Sequence, residues 1–281
     1  FPEGLDAQGA DALRFTLAMY AAAGRDIKLD VQRVAGYKAF ANKLWNAARF
    51  AFMNLEDYEP RPFDASQENL SPADRWILTR HRETATAVHE HLEGYKFSDA
   101  AHTLYDFVWH ELCDWYLELS KPVLYGDEFD VEGDQQAAQS VLVHVLDRTL
   151  RLLHPFMPFI TEEIWQKLPL ADEDADFLCL AAWPNASEME QFEGSEQIDT
   201  AIAVTTGIRR IRGESNVPPS REVPRVLVLT DDEAQQQALK DTESYILRLA
   251  KADELEIGGT DTDRPEKVAT TVEDGMEIVI P

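Results

Sequence analysis

The sequence predicts a mainly α-helical fold, in which an antiparallel helical bundle over residues 1–215 is followed by a small α/β module over residues 216–281. Three observations lead to this prediction. Apolar residues recur every three or four positions through the first two-thirds of the chain, which is the period of one buried helix face. Gly and Pro interrupt this pattern where helices of ordinary length would end. Beyond the helical part, short β-branched runs flank a hairpin turn signal.

The first two predicted helices cover residues 10–23 and 30–55. The first is rich in Ala and Leu, and Gly24 is expected to end it because glycine readily adopts the backbone conformation found at helix C-termini. The second helix is longer, and its predicted buried stripe consists of residues at helical spacing: Tyr37, Ala41, Leu44, Ala48, Phe52 and Leu55.

A third helix is predicted to begin at Ser71 and to end at Gly94. Ser71 is a suitable N-terminal cap, and Pro72 fits the first turn because its missing N–H is not needed there. Asp74 adds a negative charge near the positive end of the helix dipole.

The next predicted helix covers residues 98–121, and Pro122 is expected to end it because an interior proline removes a backbone donor. Its predicted inner face consists of Ala101, Leu104, Val108, Trp115 and Leu119. A fifth helix should begin near Gln135 and should break around Pro155 and Pro158. The last helix of the bundle is predicted over residues 201–213.

The C-terminal module shows a different pattern. Its predicted elements are a strand at 223–229, a helix at 234–250, a short strand at 255–257 and two strands at 268–272 and 276–280. The last two strands flank Asp274-Gly275, a dipeptide typical of tight β-hairpin turns. We therefore expect a small mixed α/β fold after residue 216.

The charge of the chain is strongly acidic but unevenly distributed. The formal net charge is −26 over 281 residues, which by itself argues against a polyanionic partner. Residues 1–55 contain seven Lys or Arg against five acids, so the other 226 residues carry −28. Two isolated cysteines, Cys113 and Cys179, fit a reducing compartment, and no apolar run is long enough to cross a bilayer.

A search for catalytic patterns finds none. The sequence contains no glycine-rich phosphate loop, no nucleophile elbow and no paired-cysteine zinc pattern. His89 and His91 are separated by one residue, so on a helix they do not share a face and are not expected to bind a metal together. No metal site is therefore predicted.

The best candidate for a functional surface lies on the second long helix. Lys43 and Phe50 are seven residues apart, hence on one face, with Asn46 between them. A cation, an amide and an aromatic ring in a line suit an unstacked nucleotide, because the ring stacks on a base while the polar groups bind its edge or a phosphate. A solvated lysine beside a packed phenylalanine would produce the same spacing.

Two further groups of residues are weaker candidates. Asp114, Leu117 and Lys121 are predicted to form a face opposite the buried stripe of the 98–121 helix. A basic cluster near residue 210 can contact phosphate or can mark an ordinary solvated helix end, and it consists of Arg209, Arg210 and Arg212.

Several segments resemble the region that follows the catalytic domain of valyl-tRNA synthetases. They are residues 9–15 (GADALRF), 24–27 (GRDI), 40–50 (FANKLWNAARF), 73–78 (ADRWIL), 113–118 (CDWYLE) and 154–165 (HPFMPFITEEIW). The last segment is also similar to the isoleucine, leucine and methionine enzymes, so it indicates only the class I group. The segments at 24–27 and 42–50 resemble the valine enzymes more closely than their relatives.

The resemblance implies a role in aminoacylation. Members of this family join a nucleotide-binding catalytic domain and an editing domain to a helical bundle that holds the tRNA anticodon stem and loop. The ATP-site patterns His-Ile-Gly-His and Lys-Met-Ser-Lys-Ser do not occur in the chain. We therefore expect no catalysis from these 281 residues.

The resemblance also implies roles for individual residues. Lys43 and Phe50 correspond to positions that face the anticodon bases, and Asp114 and Leu117 fall near the same loop. The family often has a basic residue where this chain has Gln32, and Arg33 is the nearest substitute. The start of the chain, residues 1–28 with Asp11 and Arg14, resembles a stem-contact region that docks on the catalytic body.

From the same resemblance we expect tRNA(Val) and the catalytic domain of the same protein as partners. ATP would be used by that domain, and no cofactor is expected in this chain. A monomeric, cytoplasmic protein without membrane contact is expected.

Two alternatives remain at this point. One is a synthetase-derived scaffold without aminoacylation, and the other is a helical protein-interaction domain unrelated to RNA. A positive face built from Arg33, Lys43 and Arg49 would argue against the second alternative, whereas an acidic surface throughout would favour it.

Overall fold

The structure of the chain is a computed structural model that describes residues 7–21, 30–126, 131–171, 175–218, 220–265 and 268–281. It divides into two compact units, one formed by Phe1–Ser120 with Gly133–Phe192 and the other by Lys121–Glu132 with Glu193–Pro281. The predicted class, a helical bundle followed by a small α/β module, is confirmed.

Helices make up the first two-thirds of the chain. They are α1 (Ala10–Tyr20), α2 (Val31–Met53), α3 (Pro72–Glu93), α4 (Phe97–Asp106), a π-helical segment (Phe107–Tyr116), α5 (Leu117–Tyr125), α6 (Gln135–Leu153) and α7 (Pro158–Trp165). The predicted end of the first helix at Gly24 lies outside the described residues, as do the 24–27 segment and residues 1–6. Asp30 caps α2, because its carboxylate accepts a hydrogen bond from the backbone N–H of Gln32.

The start of α3 confirms the prediction made from Ser71, Pro72 and Asp74. The Ser71 hydroxyl accepts from the Asp74 backbone N–H, and the Asp74 carboxylate accepts from the Ser71 backbone N–H. The same carboxylate also accepts a buried hydrogen bond of 2.8 Å from the Tyr116 hydroxyl. One carboxylate therefore ties the start of α3 to the π-helical segment.

The π-helical segment changes the predicted register of the 98–121 helix. Leu104, Val108, Leu112 and Tyr116 are buried, so the inner face recurs every four residues rather than every 3.6 as in an α-helix. Tyr116 takes the buried position predicted for Trp115, which is only half-buried. The wider helical turn explains this difference.

Pro122 does not end the helix, contrary to the prediction. It lies inside α5, which continues to Tyr125. Pro122, Val123 and Leu124 are all buried, and this burial offsets the single backbone hydrogen bond that proline removes. At Pro155 and Pro158 the prediction is confirmed, since α6 ends at Leu153 and Pro158 is the first residue of α7.

The second unit contains a four-stranded mixed sheet. Its elements are α8 (Gln197–Glu214), β1 (Val226–Leu229), α9 (Glu233–Asp241), α10 (Glu243–Ala250), β2 (Leu255–Gly258), β3 (Ala269–Glu273) and β4 (Met276–Ile280), in the strand order β2-β1-β4-β3. β1 and β2 are parallel, whereas β3 and β4 form the predicted hairpin. Asp274 and Gly275 have φ angles of 48° and 79°, as a tight turn of this kind requires.

The boundary between the units falls before α8 rather than at residues 215/216. The reason is that α8 lies on the sheet of the second unit, and Ala201, Val204 and Ile208 share a hydrophobic core with Val228 and Ile278. A Cβ atom added at Gly207 of α8 would lie 2.3 Å from Ile278 Cδ1. Close helix–sheet packing therefore explains this mid-helix glycine.

No helix in the described part of the chain is long and apolar enough to cross a membrane. The same residues contain no group of three or more His, Cys, Asp or Glu side chains arranged to hold a metal ion.

Candidate nucleic-acid interface

The predicted face of α2 consists of Lys43, Asn46 and Phe50, and we call it the α2 face. Asn46 is exposed, whereas Lys43 and Phe50 are each half-buried. The ring of Phe50 is therefore neither fully exposed nor part of the core, and its backbone carbonyl accepts a hydrogen bond from Asn54. Lys43, at the other end of the face, is joined to the π-helical segment.

Lys43 and Asp114 form an ion pair across 71 residues of sequence. The Lys43 ammonium also lies 4.0 Å from the centroid of the Trp109 ring, so its charge is held by a carboxylate and an aromatic face together. The side chain of Lys43 is 23% exposed and that of Asp114 is 42% exposed. Lys43 and Asp114, which the sequence analysis assigned to two separate helix faces, thus lie together in one cluster.

His110 completes this arrangement, which we call the Lys43 cluster (Lys43, Trp109, His110 and Asp114). Its Nδ1 atom lies 3.3 Å from Asp114 Oδ2, while Lys43 contacts Asp114 Oδ1. One carboxylate is thus shared between a cation and an exposed imidazole. The cluster presents hydrogen-bond donors and acceptors side by side at the surface.

The prediction that Leu117 shares an outward face with Asp114 is wrong. Leu117 is 8% exposed and belongs to the buried core. It follows directly after the π-helical segment, whose wider turns rotate it towards the interior relative to the α-helical register. Of the residues predicted on this face, Asp114 is exposed and Lys121 is half-buried.

The proposed positive face on α2 is not continuous. Arg33 and Arg49 are both exposed, but at 100° per residue they point about 160° apart on an ideal helix. Arg33 lies over the Tyr20 ring at 5.7 Å from its centroid. The cations of α2 therefore form separate contacts, and they do not by themselves exclude a protein-binding surface.

An aromatic row between α2 and α4 was not predicted from the sequence. Tyr105 and Trp109 stack with ring centroids 5.5 Å apart, and Phe40 packs against both. Tyr37 joins the row through an edge contact with Tyr105. Burial raises the pKa of Tyr37 and of Tyr105, which further disfavours their charged phenolate forms. The spacing of Tyr105 and Trp109, four residues apart on one helix, is the signal that could have revealed them.

Cys113 lies near Lys43 and Asp114 of the Lys43 cluster, but its thiol is not expected to be reactive. Burial raises the pKa of its thiol to about 12, with Lys43 opposing the shift. The thiolate is the reactive form, so this cysteine is not a candidate nucleophile.

The cation predicted at the start of the chain is used within the protein. The Arg14 guanidinium donates a hydrogen bond of 2.9 Å to the Pro155 carbonyl. Asp11 is buried and accepts hydrogen bonds from the backbone N–H groups of Phe159 and Ile160, at the start of α7. These two residues therefore fasten α1 to α7, and Arg14 keeps an exposed side chain.

The basic cluster of α8 is also largely occupied by internal contacts. Arg212 is only 7% exposed and donates to the carbonyls of Ala250, Pro218 and Arg221, so the prediction that it contacts phosphate is contradicted. Arg210 forms an ion pair with Glu273 at 2.7 Å, and Arg209 donates to the Leu249 carbonyl. Both of these remain exposed.

Comparison with known proteins defines the class of the chain. Residues 74–227 match the family described as the anticodon-binding domain of tRNA ligase. This match covers more than half of the sequence, and the chain belongs to that family.

Curated relatives narrow the comparison to one kind of ligase. The chain is 47% identical to the valine–tRNA ligase of Syntrophotalea carbinolica over 278 residues, which is 99% of this chain and 30% of that protein. It is 48% identical to the valine–tRNA ligase of Geobacter sulfurreducens, over 99% of this chain and 31% of the relative. The corresponding enzyme of Geobacillus stearothermophilus is 41% identical, again over 99% and 31%. The chain thus spans about 30% of the length of these relatives.

Among solved structures, the chain is similar to agnB2 LeuRS of Agrobacterium radiobacter K84, whose crystal structure is that of the ternary complex LeuRS-tRNA-LeuAMS. The TM-score is 0.48 at 19% identity, and the match covers 64% of this chain and 20% of that one.

Proposed function

We propose that this chain recognises the anticodon stem and loop of tRNA(Val), as part of a ligase that attaches valine to that tRNA with ATP. The observation that supports this most strongly is the meeting of the α2 face with the Lys43 cluster. Lys43 and Asp114 are distant in sequence, yet their polar groups lie together at the surface on a chain of the anticodon-binding family.

The proposed mechanism uses each group of the α2 face differently. A base from the loop leaves its stack and packs against Phe50, a contact worth roughly 1–3 kcal/mol per base. The Asn46 amide and the Lys43 ammonium then hydrogen-bond the edge of that base or a neighbour. A tRNA with a different anticodon loses these contacts and leaves polar groups unpaired, which is the source of discrimination.

In the complete ligase this binding would help to place the acceptor end of the tRNA at a distant active site. We propose that ATP is bound by another part of the protein and that this chain holds no cofactor. The catalytic domain of the same protein would be its second partner. A cytoplasmic, monomeric ligase is the proposed setting.

Charge is expected to limit the strength of binding. The net charge of −26 repels phosphates, while contacts from exposed cations such as Arg33 and Arg49 release counterions. The chain alone should therefore bind tRNA weakly, and its affinity should fall as salt rises. Tight binding that does not change between low and high salt would contradict this electrostatic argument.

The experiment that tests the proposal is a comparison of Phe50→Ala with the wild type in the full-length protein. Dissociation constants would be measured for tRNA(Val) and for the same tRNA with an altered anticodon. Loss of the stacking contact predicts about 5- to 150-fold weaker binding of tRNA(Val), with a reduced ratio between the two RNAs. Phe177→Ala is the matched control, since Phe177 is an exposed ring that belongs to neither the α2 face nor the Lys43 cluster. If Phe50→Ala keeps the wild-type ratio, Phe50 does not read the anticodon.

A further inference from the structure

The starting observation is that Lys43 is already bound within the protein. Its ammonium contacts Asp114 and lies over Trp109, so an RNA group reaching Lys43 must compete with a carboxylate. His110 contacts the second oxygen of Asp114 and helps to hold this carboxylate beside the lysine. A lysine that simply attracted RNA would have no need of such a competitor.

The energy of the pair makes such competition workable. Both side chains are partly exposed, and ion pairs of this kind contribute roughly 0–1 kcal/mol in water. The pair is therefore weak enough for a well-placed ligand to rearrange. Both side chains lie at the surface, so a group that approaches Lys43 also comes close to Asp114.

The two partners respond differently to the two kinds of group that RNA offers. A phosphate brings only acceptor oxygens and a negative charge, so it can bind Lys43 but is repelled by Asp114. The edge of an unpaired base carries donors and acceptors next to one another. Such an edge can accept from Lys43 and donate to Asp114 in one contact.

We infer that Asp114 is a specificity-determining residue that withholds Lys43 from phosphates and releases it to the edge of an unpaired base. This inference rests on the proposed function, because it assigns a ligand chemistry to the same surface. The pair selects bases over backbone, while Phe50 supplies the stacking. Trp109 positions the ammonium and is not itself required to contact the RNA.

The test uses the full-length protein and two RNAs that differ only in base edges. One is tRNA(Val), and the other is the same tRNA with abasic nucleotides at the anticodon, which keeps its phosphates. Asp114→Asn removes the charge while keeping a polar side chain of the same size. We expect Asp114→Asn to bind the abasic tRNA about three- to fivefold more tightly than the wild type does. The ratio of the dissociation constants for the abasic and the intact tRNA should fall by a similar factor.

Asp106→Asn is the matched control for the loss of one negative charge. Asp106 is the last residue of α4, exposed, eight residues before Asp114 and outside the Lys43 cluster. It should leave the ratio within twofold of the wild type. Equal weakening of both RNAs by Asp114→Asn, or a result no different from Asp106→Asn, would overturn the inference. Thermal unfolding of each variant verifies that it is folded.

A failure of the inference is distinguishable from a failure of the proposed function. If Phe50→Ala leaves the binding of tRNA(Val) unchanged, the anticodon surface itself is misplaced. If Phe50→Ala weakens binding while Asp114→Asn leaves the ratio of the two dissociation constants unchanged, the surface is correct. Only the inference that Asp114 withholds Lys43 from phosphates is then wrong.

Discussion

Lys43 on α2 and Arg212 on α8 are both helix cations that the sequence analysis named as candidates for RNA contact. In the structure they differ in burial and in the groups that they bind. Lys43 has one carboxylate partner at a partly exposed position, whereas Arg212 is buried and donates to three backbone carbonyls. The first cation can exchange its partner for a ligand. The second joins α8 to Ala250 of α10 and to the backbone of Pro218 and Arg221.

This difference shows that helix spacing does not predict which group a side chain binds. The spacing places a side chain on a face, but the identity of its partner depends on segments that are distant in sequence. A buried arginine that donates to three backbone carbonyls is retained far more strongly than a partly exposed lysine is retained by one carboxylate. The predictions below separate structural cations from ligand-binding cations, beginning with the largest effect.

The largest expected effect is on the stability of the second unit. Arg212→Met removes three hydrogen bonds from a charged donor, a kind of bond that contributes about 1.5–3 kcal/mol, and one of them is to the carbonyl of the buried Ala250. A loss on the order of 3 kcal/mol is therefore expected. The free energy of unfolding would be measured in urea. Arg209→Met, at an exposed position on the same helix, is the control and should change stability by less than about 0.5 kcal/mol. A similarly small change for Arg212→Met would show that the buried guanidinium is dispensable.

The second prediction concerns a buried basic group in the first unit. Burial, helped by the positive charge of Arg148, lowers the pKa of His81 to about 3, and its Nε2 atom is buried without a hydrogen-bond partner among the described residues. In the unfolded chain the imidazole takes up a proton near pH 6.5, whereas in the folded chain it does so only near pH 3. The stability contributed by neutral His81 is therefore present above pH 6.5 and is lost as the pH falls below it.

The size of this effect follows from the pKa difference. At pH 5, His81 should lower the free energy of unfolding by roughly 2 kcal/mol relative to pH 7.5. His81→Gln removes the titrating group, so its fall in stability between these two pH values should be smaller by about that amount. Urea unfolding at both pH values measures the difference. Parallel pH dependences for the wild type and His81→Gln would contradict the assignment.

The parts of the fold that were predictable from the sequence are those set by neighbouring residues. The cap at Ser71 and Asp74 and the turn at Asp274-Gly275 depend on local backbone chemistry, and both appear where they were predicted. The π-helical segment packs against α2, α3 and α4, and the residues around Pro122 are buried in the folded chain, so both features depend on tertiary structure. Local propensity alone would place an ordinary α-helix that stops at the proline.

The candidate interface was predictable to a similar extent. The α2 face follows from spacing on a single helix, so Lys43, Asn46 and Phe50 could be named in advance. The pairing of Lys43 with Asp114 joins residues 71 positions apart, and no periodicity predicts it. The burial of Leu117 and the aromatic row of Tyr105 and Trp109 likewise depend on the register of the π-helical segment.

A third, smaller effect compares a half-buried cation of the first unit, Lys43, with an exposed cation of the second, Arg210. Lys43→Met should weaken the binding of tRNA(Val) to the full-length protein about fivefold, because one charged hydrogen bond to a base edge is lost. Arg210→Met should change it by less than about twofold, since Arg210 lies on α8 of the second unit and belongs to neither the α2 face nor the Lys43 cluster. If Arg210→Met has the larger effect, the RNA-binding surface lies on the second unit instead.

The most direct measurement of the central claim is the dissociation constant of Lys43→Met for tRNA(Val) with an intact and with an abasic anticodon. Contact between Lys43 and a base edge predicts about fivefold weaker binding of the intact tRNA and no change for the abasic one. The salt dependence of binding should then be unaltered by the substitution, because no phosphate contact is lost. Equal losses for both RNAs, with a shallower salt dependence, would show that Lys43 binds the backbone and would contradict base recognition at this surface.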